Sequence, residues 1–209
     1  MFSFDASNPF VIFITILSLL AIIGLVISVH EAAHAFVANK LGDPTARLAG
    51  RMSLNPAAHI DPIGTVLIPL VLFILNAPVF AWAKPTPVNL LNFHRPMRDS
   101  ALVALAGPLS NFLLAILFGI LFRFLGGTLL IVIIQLNLVL ALFNLIPVPP
   151  LDGYKVLLGI LPKETGLRLM VLESYGPIFL IVFLLLFFRV FSPILINLLQ
   201  NLTSLITGL

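Results

Sequence analysis

Residues 10–29 form an almost wholly apolar run of about 20 residues, the length at which a helix crosses the hydrocarbon of a bilayer. Comparable runs recur at 100–125, from 128 to about 147, and from 175 onward. Such segments leave few folds open. In lipid every backbone N–H and C=O must be satisfied without water, which favours helices. With 60% hydrophobic and 9% charged residues among 209, the chain carries more apolar surface than a water-soluble domain of this length can bury. The expected fold is an all-α polytopic membrane protein: one domain over residues 1–209, a helical bundle of about 4–6 transmembrane segments.

The net charge of +3 does not point to nucleic acid. The lysines and arginines sit mostly in short loops between apolar runs, where they orient a chain in a membrane. Without cysteine there is no disulfide, thiolate zinc site or thiol nucleophile. The opening MFSFDASNPF lacks a basic region and a cleavage site, so a removed signal peptide is not expected.

Two stretches break the helical pattern. TARLAGRMSLNPAAHIDP, residues 45–62, alternates briefly and is punctuated by Gly and Pro. It predicts a small membrane-associated β element between the first and later helices. Residues 63–83 are apolar but carry Pro69, Asn76 and Pro78, and basic loops flank them on both sides. A re-entrant hairpin turning at Asn76-Ala77-Pro78 keeps both loops on one side, and is favoured over a full span. The loop 148–174 carries Lys155, Lys163 and Arg168 and is expected on the same, cytoplasmic side. Residues 175–209 read either as one kinked span or as a span followed by an interfacial helix.

At the inner end of the first run stands HEAAH, residues 30–34. His30 and His34 are four apart, hence on one helix face and roughly 6 Å apart along the axis. Two imidazoles so placed can hold one zinc ion, with Glu31 activating a zinc-bound water as general base. A mere polar helix end is the bland alternative. With only four histidines in the chain, and ionisable groups in a span functional by default, the metal reading is preferred.

Such a site needs a third protein ligand. His59, Asp61, His94, Asp99, Asp152, Glu164 and Glu173 are candidates; Asp5 and Asp43 are poorly placed. Asp152 follows NLIPVPPL, where prolines end a helix that finishes on the same side as His34, and Gly153 permits close backbone approach. By spacing alone, ligand and helix cap are equally good readings of Asp152.

HEAAH at the end of a membrane helix, GPLSN in a later span and NLIPVPPLDG after the next, in that order, resemble the site-2 protease family of intramembrane zinc metalloproteases. The resemblance covers residues 26–153, the expected catalytic core. It implies one catalytic zinc ion held by His30, His34 and Asp152, with Glu31 as base. GRMSLNPAAHIDPIG and AWAKPTPVN resemble the compact prokaryotic branch without a PDZ domain. That implies a multi-pass protein of the prokaryotic cell membrane, its active site toward the cytoplasm. The implied partners are transmembrane protein substrates, such as membrane-anchored regulators, and the lipid bilayer.

A helical substrate has to unwind to be cut, and its freed backbone groups need partners. Residues 46–52 and 79–88 are expected to offer an edge for strand addition. Asn55, His59, Asn111 and Asn144 are candidates for substrate contact or for support of the ligands. The resemblance places Asn144 beside the metal as an oxyanion donor; Asn111 is favoured as an interhelical bond. Gly107-Pro108 is expected to serve close helix packing. The alternatives are a metal-ion transporter or metal-binding membrane protein without hydrolysis, and a zinc peptidase whose third ligand is Glu164 or Glu173.

Overall fold

The computed structural model describes residues 8–67, 71, 74, 83–184 and 188–209. Helix α1, Pro9–Lys40, starts where Asn8 accepts a hydrogen bond from the Phe10 amide at 3.0 Å and proline occupies the first turn. His30 lies about 30 Å along the axis from Phe10, close to one hydrocarbon thickness. The helix therefore carries its ionisable residues to the far boundary of a membrane rather than to its middle.

Gly42, at φ 106°, stops α1, and the Asp43 amide bonds back to Ala38 O at 2.9 Å. Asp43 is fully buried and ties two later stretches of chain together. Its carboxylate accepts from the Thr45 amide and hydroxyl, from the Asn89 amide at 2.8 Å and from Asn92 Nδ2 at 2.7 Å. Asp43 thus fastens the segment around residue 90 to the end of α1.

The β element expected between the first and later helices is not there. Thr45–Leu48 is a single helical turn, α2, and no strand occurs among the described residues. The short alternation from Ala46 was a weak signal. Asp43 holds the Thr45 amide in a helix-starting turn, and Arg51 N closes onto Ala46 O at 2.9 Å. Asp61, a third-ligand candidate by sequence, instead forms a turn, its Oδ1 accepting from Ile63 N and Gly64 N, and opens a π-helical turn over Pro62–Leu67. The hairpin expected at Asn76-Ala77-Pro78 lies outside the described residues, as does the start of the expected 79–88 edge.

Helix α3, Pro96–Leu125, is the central element and packs against α1, α4 (Thr128–Asn144), α5 (Asp152–Ile160) and α8 (Phe188–Thr207). Gly126-Gly127, both at positive φ, reverse the chain between α3 and α4. The stretch expected as a loop at 148–174 is largely helical. After α5 come α6 (Lys163–Met170) and α7 (Gly176–Val182), with Tyr154 Oη donating to Leu169 O at 2.7 Å.

Among the described residues four helical segments are long and apolar enough to cross a membrane: Pro9–Lys40, Pro96–Leu125, Lys163–Val182 and Val190–Thr207. Helix α4 is shorter, 17 residues or about 26 Å. Exposed Leu17, Leu20, Leu113, Ile120 and Phe124 give α1 and α3 an outward apolar face suited to lipid. The chain is a helical membrane protein.

The Asp43 anchor makes a checkable claim. Burial acts to raise its carboxyl, but bonds from Thr45, Asn92 and Asn89 outweigh it and hold the group below its ordinary 3.8. A carboxyl depressed by folding contributes fully above its unfolded value and loses that contribution as pH falls through the folded one. Stability against thermal unfolding in detergent should fall as pH drops below 3.8, and less so in Asp43→Asn. Asp43→Ala should cost about 3 kcal/mol at neutral pH.

Candidate metal centre

The hydrogen-bond partners of His30 and His34 fix which nitrogen carries the proton. Ile133 O, a pure acceptor, receives Asn137 Nδ2 at 2.9 Å, so Asn137 Oδ1 is free to accept from Asn111 Nδ2 at 3.0 Å. That leaves Asn111 Oδ1 as the acceptor opposite His30 Nδ1, at 2.6 Å. His30 Nδ1 is therefore the donor, and in the neutral ring Nε2 bears a lone pair. His34 obeys the same logic: its Nδ1 donates to Val103 O at 2.7 Å. Both rings are buried, and both turn Nε2 to the same spot.

Asp152 meets them there. Its Oδ2 lies 3.1 Å from His30 Nε2 and 3.2 Å from His34 Nε2. Asp152 opens α5 without capping it, so its carboxylate is not consumed by a helix end. The proline-rich break and Gly153 bring it in as expected. A Cβ on Gly153 would stand 2.2 Å from Leu145 O, so any other residue would force α5 away from the end of α4.

With both rings neutral, two imidazole lone pairs and a carboxylate oxygen thus face one another, a donor set suited to a cation. The separations fit a metal: ligands about 2.0–2.1 Å from a tetrahedral zinc ion stand about 3.3 Å from each other. Gly107 supplies the room. A Cβ there would lie 2.4 Å from His34 Nε2 and 2.6 Å from His30 Nε2. The close packing expected of Gly107 is packing against the imidazoles themselves.

His30, Glu31 and His34 also bring potential ligand atoms within 4.8 Å of one another. Of the two carboxylates, Asp152 sets one oxygen against both Nε2 atoms. One oxygen of Glu31 is already occupied: Oε2 accepts from the Thr86 amide at 3.0 Å and from the Thr86 hydroxyl at 2.6 Å. Glu31 then faces, beside the imidazoles, a cavity of about 430 Å³ whose wall includes Ile27, Thr86, Val88, Phe143, Asn144 and Glu173.

Asn144 lines this cavity, with one amide hydrogen bonded to Leu140 O at 2.9 Å. Asn111 is fully buried behind His30, an interhelical bond that also orients a ring. His59 and Asn55 lie outside the cavity wall. His59 is buried, donates Nε2–H to Ser53 O at 2.8 Å, and its carbonyl receives Lys84 N. Asn55 caps the turn Pro56–Ala58. Among the other third-ligand candidates, His94 is exposed, Asp99 accepts from Arg95 N, and Glu164 is exposed. Sequence reasoning missed Thr86 and the level of Gly107; only AWAKPTPVN and GPLSN, as motifs, marked their neighbourhoods.

The chain is 41% identical over 185 residues to "Putative zinc metalloprotease YwhC" of Bacillus subtilis, covering 77% of this chain and 78% of that one. It is 35% identical over 161 residues to "Putative zinc metalloprotease MJ0611" of Methanocaldococcus jannaschii, covering 75% and 76%. With "Putative zinc metalloprotease Rip2" of Mycolicibacterium smegmatis it shares 32% identity over 162 residues, 73% of this chain but 61% of the relative. No family model and no solved structure matches the chain.

Two substitutions test the geometry without reference to catalysis. Asn111→Ala frees the His30 ring and should weaken zinc binding about 10–100-fold in a chelator competition. Gly107→Ala should remove zinc from the purified protein altogether, measured as metal per chain, because the added methyl occupies the space between both Nε2 atoms.

Proposed function

The chain belongs to the zinc metalloprotease family of these relatives, and from that premise we propose that it is an intramembrane peptidase of the site-2 protease type. It hydrolyses peptide bonds within or near transmembrane segments of membrane-anchored proteins. One observation carries the reading. Two imidazoles held by their Nδ1 atoms, with both Nε2 atoms turned to one carboxylate, converge at the boundary end of a membrane-length helix, with a second carboxylate, Glu31, beside them.

His30, His34 and Asp152 are the ligands of one zinc ion, which when bound polarises the scissile carbonyl and activates water. Glu31 would take a proton from the attacking water as its oxygen adds to the carbonyl carbon. It delivers the proton to the amine as the C–N bond breaks. Asn144 has an amide hydrogen not used by Leu140 O, and donates it to the oxygen on which negative charge develops. Asn111 keeps His30 in its ligand tautomer. His59 and Asn55 act at a distance, shaping the loop on which Lys84 rests.

The mixed apolar and polar cavity suits a few residues of unwound chain, and transmembrane substrates meet it from the lipid bilayer. Lys40, Arg47, Arg51, Lys84, Arg95, Arg98, Lys155, Lys163 and Arg168 all fall in segments at the end of the bundle that holds the site. By the tendency of basic residues to stay inside, that end is cytoplasmic in a cell membrane.

The test is cleavage of a panel of single-span substrates co-reconstituted with the protein. Glu31→Gln should lose about 10²–10⁴-fold in rate while keeping its zinc. Cleavage at the wild-type rate would remove Glu31 as base. Zinc loss in Glu173→Ala but not in Asp152→Ala would overturn the ligand set.

A further inference from the structure

The stretch Ala83-Lys84-Pro85-Thr86-Pro87-Val88-Asn89 has no regular secondary structure, yet it is fixed at three points. At one end Lys84 N donates to His59 O at 2.9 Å. At the other, Asn89 N donates to Asp43 Oδ2 at 2.8 Å. Between them Thr86 meets Glu31 three times: amide to Oε2 at 3.0 Å, hydroxyl to Oε2 at 2.6 Å, and hydroxyl to the Glu31 carbonyl at 3.2 Å.

The local sequence suits this task. Pro85 and Pro87 have no N–H, so within the Pro-Thr-Pro triplet Thr86 holds the only backbone donor, and it goes to Glu31. Their rings fix φ on either side, and Pro87 keeps Thr86 out of the helical region. A segment stiffened in this way, and pinned at Lys84 and Asn89, presents its two donors with little freedom left to lose.

Both donors reach the same oxygen. Oε1 of Glu31 has no protein partner among the described residues, while Oε2 has two bonds from one residue. We propose that Thr86 is a positioning residue for the peptidase reaction: it holds Glu31 by Oε2 so that Oε1 is the oxygen that accepts the proton from the attacking water. This rests on the role proposed for Glu31.

A glutamate on a helix has three side-chain torsions, and without a second contact its carboxylate sweeps a volume much larger than the reacting geometry tolerates. The ligands need no such help, since His30, His34 and Asp152 are held by α1, α3, α4 and α5. The base is the one reacting group fixed by an irregular segment. Pro85, Thr86 and Val88 also line the cavity, so the segment that contacts the substrate space is the segment that aims the base.

The experiment compares Thr86→Val, which keeps the β-branch and the amide but loses the hydroxyl, with Thr86→Ser, which restores it. Steady-state cleavage of a single-span substrate is measured with zinc content and infrared spectra of the carboxylates. The Glu31 bands are identified as those that disappear in Glu31→Gln. Thr86→Val should lower kcat about 10–100-fold with KM and zinc unchanged, and shift the Glu31 bands; Thr86→Ser should recover both. Wild-type kcat in Thr86→Val, with Glu31→Gln inactive, overturns the role of Thr86 alone. So does equal impairment of the Val and Ser variants, which makes the residue a shape-filling part of the wall. Faster cleavage in Thr86→Val overturns it by making the contact a restraint on the base, and zinc loss does so by tracing the effect to the ligands. Cleavage that survives Glu31→Gln instead defeats the underlying reading of Glu31.

Discussion

The hydrogen bonds behind the two imidazoles determine what the rest of the bundle can be. Each ends on a main-chain carbonyl, Val103 O for His34 directly and Ile133 O for His30 through Asn111 and Asn137. A carbonyl can only accept, so neither chain of bonds can reverse its direction. In the neutral rings the tautomer is therefore set by the fold, and the Nε2 lone pairs point where these bonds aim them. The amide relay also crosses three helices. Leaving one buried amide without its partner costs about 1–3 kcal/mol, so a shift of α3 or α4 relative to α1 is opposed by the same bonds that orient His30.

Close helix approach makes those short bonds attainable, and it depends on missing side chains. Gly107 brings α3 against the imidazoles. Gly153 brings α5 against the end of α4, and Gly159 meets Ala101, where a Cβ would stand 2.3 Å from the alanine methyl. At the other end Gly119 leaves space for Ile206, while Arg123 donates to the carbonyls of Leu205 and Ile206 at 2.8 and 2.9 Å and finishes α8. Lipid gives apolar side chains little reason to prefer each other to the bilayer, so steric fit and polar bonds carry the association. Small residues on α3 and α5, rather than bulky ones, set how deep the ligands sit.

The parts that were legible in the sequence are those in which function and local chemistry coincide. HEAAH encodes its own geometry, because helical periodicity alone puts His30 and His34 on one face. Asp152 was readable as a candidate from the proline break and Gly153, but its choice over a helix cap needed either the family resemblance or the coordinates. The β element failed because a short alternation after Ala46 carries less weight than Asp43, whose carboxylate starts a helical turn from two residues away. The helical character of 163–170 was hidden by its charged residues, which read as a loop. Thr86 and Gly107 were invisible for another reason: each matters through atoms that are 55 and 73 or more residues away in the chain, and neither residue type advertises chemistry.

The site therefore has two supports of different kinds. The ligands stand on packed helices, where movement would break buried bonds and expose polar groups to lipid. Glu31 shares α1 with two of them, yet its carboxylate takes its direction from the segment fixed between His59 and Asp43. A displacement of that segment reaches the Glu31 carboxylate directly, through Thr86. On the proposed reading, metal retention and base alignment are separable properties of one centre: the first depends on helix packing behind the imidazoles, the second on an irregular stretch held by single hydrogen bonds at its ends.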